Sequence, residues 1–156
     1  MSNVTVEKRE PLITVDGLKT YYPIKKGILS RTVGHVKAVD GVSFSIFEGE
    51  TLGLVGESGC GKSTIGRSIV RLENPTEGKI IFQGDDITGL SNKQMNDYRS
   101  NLQIIFQDPF SSLNPRKRIK DIIAEPLKVH QIVQPKDIQK RVDELLDMVG
   151  LPKHYK

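Results

Sequence analysis

The sequence is poor in the features that stabilise secreted and membrane-spanning chains. It has one cysteine, Cys60, so no internal disulfide can staple it. It has no tryptophan, and aromatic residues make up only 6% of its 156 positions. Lys and Arg number 23 against 19 Asp and Glu, a net charge of +4. Those cations read as scattered, without an aromatic-interleaved basic stripe, so no nucleic-acid partner is expected. No apolar run approaches the roughly 20 residues of a membrane-spanning helix. Residues 1–10 are polar and lack the apolar region of a signal peptide. Internal repeats and low-complexity tracts are absent as well. The expectation is a soluble, cytoplasmic chain of one-domain length.

What is present centres on Gly56-Glu57-Ser58-Gly59-Cys60-Gly61-Lys62-Ser63-Thr64, which fits G-x-x-x-x-G-K-[ST]. Such a loop follows a buried strand and opens a helix. Thr51 to Val55 is a short, mostly apolar run without alternation, as a strand covered on both faces should be. Ile65, Ile69 and Leu72 then recur at helical spacing, with Pro75 just beyond. The residue types suit a polyphosphate. Glycines let successive N–H groups turn toward an anion, and the helix N-terminus adds partial positive charge. Lys62 would supply a mobile cation for the β- and γ-phosphates, and Ser63 a hydroxyl for Mg²⁺. Cys60 has two readings, a thiol activated by the helix N-terminus or a small filler in the loop.

The surrounding chain reads as follows. Leu12 to Tyr22 is β-like, bounded by Pro11 and Pro23, and residues 24–35 suit an exposed loop. Val42 to Ile46 alternates strictly, the mark of a half-buried strand. Residues 78–84 enclose another short strand, and Leu102 to Phe106 is a further strand candidate ending at Gln107. Ser91-Asn92-Lys93-Gln94 has the form of a capping box, which predicts a helix to about Ser100. Ile119, Ile122, Ile123 and Leu127 share a helical face, with Pro126 expected to kink or split the segment. Ile138, Val142, Leu145, Leu146 and Val149 make a cleaner amphipathic helix, begun near Pro135 and ended by Gly150. Both stripes read as core packing.

The phosphate loop, the segment closing on Gln107 and the helices after it resemble the ATP-binding subunits of ABC transporters. The stretch from Phe106 to Arg116 resembles the glutamine loop of oligopeptide and dipeptide importers, and the stretch from Arg31 to Phe44 the second of their two ATPase subunits. The resemblance runs from about residue 11 to the end. It implies an α/β fold: a P-loop NTPase core with an incomplete RecA-like parallel sheet, an N-terminal antiparallel β subdomain and the start of a helical subdomain. Residues 1–10 would be a flexible N-terminus, 11–110 the β subdomain and core, and 111–156 the helical start. Tyr22 matches the aromatic that stacks on adenine, with Tyr21 as the alternative. Gly56 to Thr64 would hold the phosphates of ATP, and Ser63 with Gln107 would meet Mg²⁺. The implied partners are membrane-spanning permease subunits, a second ATPase subunit forming a heterodimer and, indirectly, an extracytoplasmic solute-binding protein. The implied place is the cytoplasmic face of the plasma membrane, peripherally bound.

The family pattern continues with a signature motif, a catalytic glutamate and a switch histidine, none of which is matched; His154 lacks the strand that would precede it. Lys62 and Gln107 would only support catalysis. The expectation is therefore the N-terminal portion of a longer ATPase, or a nucleotide- or partner-binding fragment without turnover. A P-loop small-molecule kinase would need arginines in a lid and an acceptor site. A GTPase would share Asp86-Ile87-Thr88-Gly89 as D-x-x-G, but Asn92-Lys93-Gln94-Met95 lacks the aspartate that reads guanine.

Overall fold

A computed structural model describes residues 9–28, 30–108 and 112–151. Residues 1–8 of the expected N-terminal tail, Pro109-Phe110-Ser111 of the glutamine-loop stretch, and His154 lie outside the described residues. The chain forms two compact units, residues 1–104 and 105–156.

The first unit is built on an antiparallel sheet in the order β2-β1-β3-β4, with β1 Ile13–Lys26, β2 Arg31–Ile46, β3 Glu77–Phe82 and β4 Asp85–Asp86. Strand β1 is rich in β-branched and aromatic residues, but its burial does not follow a simple alternation. Val15 and Leu18, three positions apart, are both buried. A bulge makes this possible: Val15 pairs with Phe44 and Leu18 with Val42, so Asp16 and Gly17 together oppose Ser43. Gly17 takes the left-handed backbone (φ 56°) that the bulge requires, and its N–H donates to Ser43 Oγ at 2.8 Å. Val15 and Leu18 then join Val39, Ile65, Ile80, Phe82, Ile87 and Met95 in one core.

Helix α1, Lys62–Ile69, leans on this sheet through Ile65 and through Ser68, whose hydroxyl lies 3.0 Å from Thr20 Oγ1 on β1. Its C-terminal end is tied down by two arginines. Arg99 donates to the carbonyls of Val70 and Arg71, where the helix leaves acceptors unpaired. Arg71 donates in turn to Ile87 O and Leu90 O, both at 3.1 Å. Burial first, then the Arg99 charge, pushes the Arg71 guanidinium below its ordinary range. The helix that opens at the phosphate loop is thus fixed at its far end to the segment after β4.

The capping box forms. Gln94 Oε1 accepts from the Ser91 N–H at 3.0 Å and Ser91 Oγ accepts from the Gln94 N–H at 3.4 Å. Helix α2, however, is only Asn92–Met95, and hydrogen-bonded turns carry the chain on to Leu102.

Three expectations about strands and loops are corrected. Residues 24–35 are not one loop: β1 runs to Lys26 and β2 resumes at Arg31, because a backbone ladder tolerates the polar side chains that suggested exposure. Neither Thr51 to Val55 nor Leu102 to Phe106 is a strand. A strand exists only through a neighbour's N–H and C=O groups, and among the described residues none lies alongside either segment. Val55 and Ile105 are 97% and 94% exposed.

The second unit packs helix α3, Ile119–Val129, on helix α4, Ile138–Met148, through Ala124, Leu127, Val142 and Leu146. A short 3₁₀ turn, Pro135–Asp137, leads into α4. Pro126 does not split α3, which continues to Val129.

Candidate functional site at the phosphate loop

Residues 56–61 form the turn that feeds α1, and Lys62 is the first helical residue. Gly61 occupies the cap position in the left-handed region, φ 96°, and its carbonyl accepts from the Ile65 N–H at 2.9 Å. A Cβ at position 61 would stand 2.2 Å from the carbonyl oxygen of Ala38. That carbonyl belongs to a second bulge. Thr20 pairs with Val39 and Tyr21 with Lys37, which leaves Ala38 unpaired on β2. The loop is therefore seated directly against the backbone of the hairpin, and only glycine fits at the contact.

The rest of the loop is exposed. Lys62 folds back over it: Nζ donates to Gly56 O at 2.8 Å and to Glu57 O at 2.6 Å, and lies 3.4 Å from Cys60 Sγ. Lys62 makes no ion pair among the described residues. The first turn of α1 contains no acidic residue and its cap position has no side-chain bond. Here an ammonium lies at a helix N-terminus whose first turn has no acidic residue, and no ion pair among the described residues neutralises it. Such a surface attracts anions. Ser63 is exposed one position into the helix, and Thr64 is half-buried beside it. Cys60 is exposed, and both of its readings stay open.

The two tyrosines differ in what already occupies them. The Tyr21 hydroxyl donates to Asp40, and Lys37 Nζ sits over its ring, 5.3 Å from the centroid. The bond to the Asp40 carboxylate holds the Tyr21 hydroxyl above its ordinary range, and that carboxylate is itself held below the usual one. Tyr22 has neither engagement, and by strand alternation it shares the face of Thr20, which meets α1. Gln107 is exposed and belongs to the second unit. Asp86 of the D-x-x-G match is spent on a local turn, accepting from the Thr88 N–H at 2.9 Å. That bonding lowers its carboxyl below the usual range. The part played by Ala38 carried no sequence signal, since its backbone carbonyl makes the contact.

The family model described as ABC transporter matches residues 39–156. The chain is 51% identical over 149 residues to the oligopeptide transport ATP-binding protein AppF of Bacillus subtilis strain 168, a match covering 95% of this chain and 45% of that protein. It is 48% identical over 151 residues to the glutathione import ATP-binding protein GsiA of Escherichia coli strain K12, covering 96% of this chain and 24% of that one. The chain thus spans less than half the length of these relatives. Among solved structures, the ATP-binding cassette MJ0796 in a dimeric post-hydrolysis state with ADP and Pi superposes with a TM-score of 0.72 at 24% identity, over 92% of this chain and 59% of that one. The cbiO1 protein of Clostridium perfringens gives a TM-score of 0.65 at 26% identity, over 95% and 53%. The fold is therefore the α/β fold of these cassettes. Matched over most of its length by the family model, and sharing about half its residues with peptide and glutathione transport ATP-binding proteins, the chain belongs to the ABC transporter family.

Proposed function

We propose that this chain binds ATP through Gly56 to Thr64 and forms part of an ATPase that drives import of oligopeptides or dipeptides through a membrane permease. The observation that carries the nucleotide half is the cation without an ion pair at the helix N-terminus, Lys62, which follows a loop seated on the Ala38 carbonyl through Gly61. Similarity to AppF supports the peptide half. In this reading Gly56, Glu57, Ser58, Gly59, Cys60 and Gly61 give backbone contacts to phosphate, and Lys62 moves from its carbonyls to the β- and γ-phosphates. Ser63 and Gln107 hold Mg²⁺, whose charge offsets that of the phosphates. Residues 11–110 act as the β subdomain and nucleotide core, and 111–156 begin the helical subdomain.

The partners in this reading are the permease, a second ATPase subunit in a heterodimer and, through the permease, a solute-binding protein. The protein works peripherally at the cytoplasmic face of the membrane. Among the described residues no helix is long and apolar enough to cross it. A second reading, nucleotide or partner binding without turnover, is favoured by the exposed, unpaired Thr51 to Val55.

Adenine stacks on Tyr22, because the Tyr21 ring and hydroxyl are already engaged. Replacing Tyr22 with Ala is expected to weaken ATP by roughly five- to tenfold, while Phe preserves it, since any aromatic face can stack. Loss of affinity in Tyr21→Ala but not Tyr22→Ala would move the contact one residue. The transport half is tested by deleting the gene and following uptake of a labelled tripeptide. Uptake should fall to background and return with the wild-type gene but not with Lys62→Ala; full uptake in the deletion strain would remove peptide import from the account.

A further inference from the structure

The hairpin joining β1 to β2 carries a charge pattern that the nucleotide site does not use. Residues 17–39 contain five Lys and Arg and no Asp or Glu. Lys19 is paired with Glu77 at 2.6 Å and Lys37 with Asp40 at 3.1 Å. Lys25, Lys26 and Arg31 make no ion pair among the described residues. Lys26 and Arg31 are direct partners across the ladder, an arrangement of like charges that destabilises a hairpin. The ladder from β3 reaches β1 only as far as Lys19, opposite Glu77. Beyond it, residues 21–26 and 31–37 form a two-stranded ribbon that no third strand among the described residues covers.

Apolar side chains stand exposed among these cations. Ile28 in the turn is fully exposed, Val33 58% and Val36 54% exposed. A lone ribbon with cations opposed and apolar groups in water gains nothing from its own fold at these positions. The features match an external surface that is anionic outside and apolar within.

We propose that this ribbon docks on an anionic lipid surface, with Lys25, Lys26 and Arg31 on the headgroups and Ile28 entering the interface between them. Lipid fits better than nucleic acid because Ile28 and Val33 would have no apolar layer to enter on a duplex. It fits better than the bound nucleotide because β1 runs four residues, about 13 Å, beyond Tyr22 before the turn that carries Ile28 begins. The inference is independent of the permease, since it requires only lipid and this hairpin.

The test is sedimentation of the purified protein with vesicles of phosphatidylglycerol in phosphatidylcholine, beside vesicles of phosphatidylcholine alone and a duplex DNA. Anionic vesicles should bind in a salt-sensitive way. The combined Lys25→Gln, Lys26→Gln and Arg31→Gln variant should lose about a hundredfold, near fivefold per cation. Ile28→Ser should lose roughly tenfold, and Lys25→Arg with Lys26→Arg should bind like wild type. ATP affinity in the charge variant, expected unchanged, reports that the fold is intact. Equal binding to neutral vesicles, undiminished binding in the charge variant, or an Ile28→Ser protein that binds as wild type would each overturn the proposal. So would DNA bound more tightly than the anionic vesicles.

Discussion

Replacing Gly61 with alanine is expected to weaken nucleotide binding a hundredfold or more, although it adds a single methyl group. Two costs coincide at this position. The backbone lies at φ 96°, where an L side chain is strained, and the new Cβ would stand 2.2 Å from Ala38 O. The obstacle is a backbone carbonyl in a bulge of β2, so no side-chain rotation relieves it. Strain of the first kind costs about 1–3 kcal/mol, and overpacking adds a similar amount. Relief requires the loop to lift from the hairpin, which moves Lys62 and the first N–H groups of α1 away from any bound phosphate. ATP affinity should fall a hundredfold or more in a fluorescence titration, and the thermal midpoint should drop. Gly66→Ala is the matched control: it sits inside α1 with nothing within 4 Å of a new Cβ. That change should leave binding intact and stabilise the helix by up to about 1 kcal/mol. Wild-type affinity in Gly61→Ala would mean that the contact with Ala38 does not set the loop.

The chain shows which features a sequence discloses. The phosphate loop was legible because its chemistry fixes residue types at fixed spacing. The Ser91–Gln94 box was legible because the reciprocal side-chain bonds are local. The face that α4 buries followed from its apolar period, with Val142 and Leu146 at its centre. The rest depended on partners distant in sequence. The polar residues 24–35 suggested a loop, yet ladder bonds between Tyr22 and Val36, and between Lys26 and Arg31, keep them extended. Thr51 to Val55 has the composition of a buried strand, but composition cannot supply the neighbouring strand. The seat of Gly61 on Ala38 was invisible because it joins a glycine to a carbonyl, and neither has a side chain to signal it.

The second large effect concerns Lys62, and it bears on the central claim that this loop holds the phosphates of ATP. In the free protein its ammonium is satisfied by Gly56 O and Glu57 O. In the proposed reading ATP would replace those neutral acceptors with phosphate oxygens, and hydrogen bonds between charged groups contribute about 1.5–3 kcal/mol each. Lys62→Ala removes that exchange without adding bulk to the loop, so affinity should fall by roughly ten- to a hundredfold. Lys62→Arg should restore only part of it, because a planar fork does not substitute for a compact point charge. The most direct measurement is a titration of a fluorescent ATP analogue with Mg²⁺ into the wild-type and Lys62→Ala proteins under identical salt. Saturable binding by the wild type, weakened at least tenfold in the variant, is the predicted result; equal affinity in the two proteins would contradict it.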